Sequence, residues 1–197
     1  MICPDEMRHK IVEAARKRFT HYGYGKTTMA DLARDCDMSA GNLYRYFPGK
    51  LDIAEEICRG ASLQTADTLR KVLGRSGETA MDRLRAFLFE DLRTTYHRLE
   101  EDPRIVEMAQ IVTQQRPAFH NEGLMREREV LAKILEMGNE TGEFAVSDPM
   151  ETAEMIQSAT MKFSYPQLFS QLSLARLERE LAGVFDLLTR GFQAEKA

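Results

Sequence analysis

The chain has 197 residues, 43% hydrophobic and 29% charged, with no Trp, 12 Gly and 6 Pro. That composition suits one large or two small domains with packed helical cores and excludes a low-complexity chain. The formal net charge is −4, so no strong overall basic field draws the chain to nucleic acid; residues 1–60 hold 10 Lys/Arg against 9 Asp/Glu (+1), and the remainder 17 against 22 (−5). A slightly basic end on an acidic body fits a DNA-binding end without requiring one. No apolar run approaches the ~20 residues that a membrane helix needs. The longest uncharged run, Phe163 to Ala175, is broken by Pro166. Three cysteines (Cys3, Cys36, Cys58), no C-x-x-C pair and no signal-peptide pattern point to a reducing cytoplasm, with Cys36 a small buried thiol.

Residues 4–22 predict a first helix. Pro4 suits the first helical position, and Asp5 and Glu6 suit its positive end. Ile11, Ala14, Ala15 and Phe19 form the buried stripe, and Gly23-Tyr24-Gly25 ends the helix, with Tyr22 and Tyr24 expected to fill a small core. A second helix starts at Thr28, with Asp31 completing a capping box, and ends near Cys36. Asp37-Met38 forms a turn that lacks a residue suited to positive φ. Ser39 then caps a third helix through Leu43 and Tyr44, Phe47 is the last core residue, and Pro48-Gly49 stops it. This third helix carries Gly41, Asn42, Tyr44, Arg45 and Tyr46, more polar surface than packing needs. Glycine lets a helix backbone lie close to another surface, and Asn, Tyr and Arg donate to phosphates and base edges. Two short helices joined by a tight turn, the second bearing such residues, make a helix-turn-helix.

The stretch TTMADLARDCDMSAGNLYRYFPGK (27–50) resembles the signature of the TetR family of transcriptional repressors. The matching positions are Thr27, Leu32, Ala33, Ser39, Leu43, Tyr44, Tyr46, Phe47 and Lys50. Asp37-Met38 departs from the family's usual Gly-Val, and Tyr46 stands where His is commoner. The motif covers about the first quarter of the chain. The resemblance implies an all-α fold of about nine helices, with an N-terminal three-helix DNA-binding domain (1–50) joined by a long helix to a helical ligand-binding and dimerisation domain (51–197). It also implies the contacts. Gly41, Asn42 and Tyr44 would face the groove. Thr27, Thr28, Tyr46 and Lys50 would hold the DNA backbone, and Ser39, Ala40 and Arg45 would complete the surface.

Residues 51–74 predict the long helix, followed by a break at Gly74-Arg75-Ser76-Gly77 and a helix to about Glu100. Asp102-Pro103 caps a helix to about Gln115, Arg116-Pro117 opens one to about Glu140, and Thr141–Phe144 is a turn. Asp148-Pro149 caps a helix running towards Pro166, and a last helix carries Leu174, Leu177, Leu181, Val184, Phe185, Leu188 and Phe192 at nearly heptad spacing. The last two helices are more apolar than a lone surface needs. Met155, Ala159, Leu177, Leu181, Val184 and Leu188 are candidates for a homodimer interface in a four-helix bundle; a plain monomer core is the alternative.

No catalytic set stands out, and the chain reads as a non-enzyme without cofactor. His9, His21, His97 and His120 are scattered without metal-ligand spacing, and Ser164 and Ser170 lack a nearby base. The effector pocket is implied by the resemblance alone. Tyr96, Met108, Ile111, Phe119, Met125, Met155 and Phe163 are its candidate lining, with Met161, Tyr165 and Phe169 beside them, although Met and Phe at helical spacing suit a core equally. The expected function is sequence-specific transcriptional regulation. A homodimeric repressor would bind a palindromic operator in double-stranded DNA and be released by a small apolar or amphipathic effector. The alternative is a helical small-molecule-binding or scaffold protein whose helix-turn-helix packs against a protein partner.

Overall fold

The computed structural model describes residues 4–165 and 172–191; Cys3, Pro166, Phe169, Ser170 and Phe192 lie outside the described residues. The described residues are all-α, with no strand. The helices are α1 (Pro4–Tyr22), α2 (Met29–Asp35), α3 (Ala40–Tyr44), α4 (Lys50–Arg70), α5 (Ala80–Glu101), α6 (Pro103–Gln115), α7 (Pro117–Thr141), α8 (Pro149–Ser164) and α9 (Leu174–Thr189). The long helix expected to reach residue 74 instead tightens into a 3-10 turn over Lys71–Gly74. None of these helices is long and apolar enough to cross a membrane.

The chain forms two compact units. One runs to Leu63 and takes in Glu100–Gly123; the other holds Gln64–Leu99 and the described residues from Leu124 onward. Compactness therefore divides the chain differently from a boundary at residue 50. In the first unit the α1 stripe Ile11, Ala15 and Phe19 is fully buried against Leu32, Ala33, Leu43, Phe47 and Ile53. Met108, Val112 and Phe119 complete the same core. Helix α6 is tied to the end of α1 by polar contacts. Asp102, its N-cap, accepts from Ile105 N at 3.3 Å and from Thr20 Oγ1 at 2.5 Å. The Arg104 guanidinium donates to the carbonyls of Thr20 and His21, where a cation suits the negative end of a helix. Tyr24 packs edge-on to Phe19 at 5.4 Å, as expected of a core residue. Tyr22 does not join the core: it is 53% exposed. It is the last helical residue and the chain turns away at Gly23 (φ 86), which leaves its ring against His21 and Arg18.

The second unit's core joins Leu84, Leu88 and Leu92 of α5 to Leu131, Ile134 and Leu135 of α7, Ile156 and Phe163 of α8, and Leu177 and Leu181 of α9. Helix α7 ends in a Schellman turn, with Glu143 N donating to Gly138 O (2.9 Å), Gly142 N to Asn139 O (3.2 Å) and Gly142 at φ 74. Phe144 then folds back onto Gly138, and Glu143 accepts from Ala80 N and Met81 N at the start of α5 (3.0 and 3.1 Å). Buried polar groups, Arg83 and Asp91 among them, interrupt the apolar interior. Asp91 is buried and accepts from Ser164 Oγ at 2.6 Å; burial pushes its carboxyl up. Glu127 on α7 is pushed up to about 8 by desolvation and by the Asp91 charge, against the pull of Arg126, Gln157 and Arg98. Burial and the same two carboxylates push the Tyr165 phenol up. Two carboxylates so placed cannot both ionise cheaply.

Two predictions follow from these contacts. A Cβ at position 138 would stand 2.0 Å from the Phe144 ring. Gly138→Ala is therefore expected to cost about 1–3 kcal/mol in a denaturant melt; an unchanged midpoint would refute the contact. The raised Glu127 carboxyl gives stability that is fully present below its unfolded value of 4.5 and is lost as pH rises through about 8. The melting temperature should drop across that window and Glu127→Gln should flatten the drop, whereas an identical slope in the variant would rule the pair out.

Candidate functional site

The helix-turn-helix is assembled from local caps. Thr28 Oγ1 accepts from Asp31 N at 3.2 Å while Asp31 Oδ2 accepts from Thr28 N at 3.1 Å, the reciprocal pair of a capping box. The Thr28 hydroxyl, donating to Asp31 Oδ2 at 2.6 Å, and the Thr28 N–H together hold the Asp31 carboxyl below its ordinary value. Helix α2 closes in a second Schellman turn, with Met38 N donating to Ala33 O (2.9 Å) and Asp37 N to Arg34 O (3.2 Å). The left-handed position falls on Asp37, at φ 57. The turn thus does use positive φ, and an aspartate fills the place where glycine is usual; Asp is among the few side chains that tolerate it. Met38 packs back into the core. Ser39 Oγ accepts from Asn42 N at 3.2 Å and starts α3.

Helix α3 is anchored from one side only. Leu43 is fully buried and Phe47, just beyond the helix, is 1% exposed. On the other side Gly41, Tyr44 and Arg45 are exposed and Asn42 is half-buried, whereas Ala40 and Tyr46, also half-buried, pack against the core. A Cβ at Gly41 would meet nothing within 4 Å. The chain's own packing does not demand a glycine there. Thr28 and Ser39 are also exposed, although their oxygens serve as caps.

Two expected backbone-holding residues face inward instead. Thr27 is 2% exposed, its hydroxyl donating to Gly23 O at 3.0 Å and its N–H to Tyr24 O at 3.3 Å. Lys50 Nζ donates to Tyr24 O and Thr27 O, both at 2.8 Å, and lies 4.2 Å from the centre of the Tyr24 ring. Burial lowers its pKa. Both residues are turned to the loop between α1 and α2, because its bent backbone leaves carbonyls that need donors. Arg8 takes a matching position: its Nη1 donates to Tyr46 O at 2.6 Å and its guanidinium lies 4.2 Å from the Phe47 ring centre. Arg8 falls in register with Ile11, Ala15 and Phe19 on the buried stripe of α1, and a cation on an apolar stripe was the available signal. Cys36 is buried, and burial pushes its thiol up and away from the reactive thiolate.

The candidate effector residues fall in both units. Met108 and Phe119 are core of the first unit, where Ile111 is half-buried; Phe163 is core of the second, with Tyr96 packed against that core. Met125 and Met155 are 45% and 56% exposed. The candidate dimer residues divide as well. Leu177 and Leu181 are fully buried within their own unit and are unavailable to a partner. Met155 and Ala159 are exposed, and Val184 and Leu188 are half-buried. Leu187, 71% exposed, was not anticipated. Among the described residues no group of three His, Cys, Asp or Glu is arranged to hold a metal.

Comparison with known proteins agrees with this architecture. The family profile "Bacterial regulatory proteins, tetR family" matches residues 11–57, and "Tetracyclin repressor-like, C-terminal domain" matches residues 80–185. The regulator HbdR of Aromatoleum sp. (strain CIB) is 45% identical over 49 residues, which cover 25% of this chain and 21% of HbdR. The fold is shared with a chain assigned to the TetR family from Mesorhizobium loti MAFF303099 (TM-score 0.76, 16% identity, 98% of this chain and 100% of that one). It is also shared with Thermus thermophilus FadR, a TetR-family repressor solved with lauroyl-CoA (TM-score 0.69, 17% identity, 96% and 97%). Because the carboxy-terminal profile alone spans more than half of the chain and the amino-terminal one lies over the helix-turn-helix, the chain belongs to the TetR family of DNA-binding transcriptional regulators and is not an enzyme.

Proposed function

We propose that the protein is a homodimeric repressor that reads a palindromic operator with α3 and is released from it by a small apolar or amphipathic effector. The observation that carries this reading is the one-sided anchoring of α3: Leu43 is buried, while Gly41, Tyr44 and Arg45 are free of the core. Gly41, Asn42 and Tyr44 face the groove, and Thr28, Ser39, Ala40, Arg45 and Tyr46 lie against the DNA backbone, Thr28 and Ser39 at helix N-termini where free N–H groups favour phosphate. Thr27 and Lys50 are left out of this set, since Thr27 is buried and Lys50 is engaged on the Tyr24 and Thr27 carbonyls. The functional division is a DNA-binding part to residue 50 and a ligand-binding and dimerisation part beyond it, the whole working in the cytoplasm.

Support for a dimer comes from apolar surface left over on the last two helices. Met155 and Ala159 of α8 and Leu187 of α9 are exposed, with Val184 and Leu188 half-covered beside Leu187. One helix-turn-helix seldom reads enough sequence alone, and a symmetric pair reads two half-sites one helical turn apart. Support for an amphipathic effector comes from the second unit, where Asp91, Glu127, Ser164 and Tyr165 bring polar groups to a largely apolar body. The acyl thioester in Thermus thermophilus FadR is a molecule of that general kind.

The test is selection of bound duplexes from a random pool, which should return a palindrome; no salt-dependent binding to any duplex would sink the proposal. On the selected site, Asn42→Ala is expected to cost about 1–3 kcal/mol and to relax preference at one position of each half-site. A uniform loss across all sequences would make Asn42 a backbone contact. Leu187→Glu should give a monomer by light scattering with its helical circular dichroism intact; a dimer of undiminished stability would move the interface elsewhere.

A further inference from the structure

Helix α3 is the shortest α-helix among the described residues, at five residues. So few turns make too few internal hydrogen bonds to hold a helix axis unaided. Its amino end is fixed by Ser39 and by the Schellman turn of α2. Its carboxyl end runs through residues 45–49 into α4, and two cations brace that interval. Arg8 reaches from α1 to the Tyr46 carbonyl at 2.6 Å, stacks over Phe47 and stands 3.7 Å from Glu56 of α4. Lys50, the first residue of α4, grips the carbonyls of Tyr24 and Thr27, the latter adjoining the Thr28 cap of α2. Each bond joins a long side chain to a backbone oxygen across the first unit, so each fixes backbone against backbone.

We propose that Arg8 and Lys50 are positioning residues that set the pose of the recognition helix, so that selective DNA reading depends on two cations bonded to the protein's own carbonyls. This rests on α3 being the reading helix. A cation that held a phosphate would weaken binding to every duplex and lower the salt slope by about 0.9 when removed. A cation that poses the helix acts otherwise: its loss misplaces the base-reading side chains, and the counterions released on binding stay the same in number.

The experiment measures affinity for the selected operator and for a scrambled duplex across a salt series. It compares the full-length protein with Arg8→Gln, Arg8→Lys, Lys50→Met and Asn42→Ala. Arg8→Gln and Lys50→Met are expected to lose about tenfold on the operator, by the scale of one base contact, while binding to the scrambled duplex and the salt slope stay at the parent's values. Arg8→Lys, which keeps a cation near the Tyr46 carbonyl without the planar face on Phe47, should fall between parent and Arg8→Gln; it also serves as the folded variant if Arg8→Gln melts at the assay temperature. Equal loss on both duplexes, or a lower salt slope, overturns the inference. If Asn42→Ala reduces operator preference and the cation variants do not, positioning fails alone. If Asn42→Ala leaves preference intact, the reading of α3 is what fails.

Discussion

An ammonium drawn partly out of water needs oxygen partners, and Lys50 finds two. Its bonds to Tyr24 O and Thr27 O close the loop between α1 and α2 against the start of α4. That closure explains the inward turn of Thr27 and the exact place where α2 can begin, one residue later at the Thr28 cap. From there the motif is a succession of end-caps. Thr28 starts α2, Asp37 ends it, Ser39 starts α3 and the Tyr46 carbonyl meets Arg8. Neither α2 nor α3 has the length to be a stable helix by itself. Their geometry is imposed by terminal hydrogen bonds and by the apolar anchors Leu32, Leu43 and Phe47.

What could be read from the sequence, and what could not, follows from the range of each interaction. The Thr28–Asp31 box, the Ser39 cap and the burial of Phe47 depend on residues within a few positions of one another, and side-chain type alone announces them. The roles of Lys50 and Arg8 depend on carbonyls 26, 23 and 38 residues away. Every residue has a carbonyl, so such an acceptor leaves no mark in a sequence. Asp37 was missed for a different reason. A Schellman turn normally advertises itself with glycine, and here a rarer tolerance, that of aspartate for positive φ, does the same work.

The body shows the limit of periodicity. Apolar spacing establishes that one face of a helix is buried but not which neighbour buries it. Met108 of α6 and Phe119 of α7 carry the pattern expected of a ligand-lined interior and belong to the core under α1. The last helix likewise bears apolar residues on more than one face. Leu177, Leu181 and Phe185 close its own unit, and Leu187 stands outside that contact. The heptad-like spacing of the first group concealed the second.

The mutual repulsion of the Asp91 and Glu127 carboxylates has a consequence beyond stability. The pair lies among Ser164, Gln157, Arg98, Arg126 and Tyr165, and its protonation depends on the net field of those neighbours. A molecule that alters the field there, whether by bringing charge or by displacing one of these side chains, must change how many protons the pair holds. Its association would then take up or release protons into the medium. The heat measured for that event would carry the ionisation enthalpy of whichever buffer supplied or received them, and would differ between phosphate and Tris at the same pH.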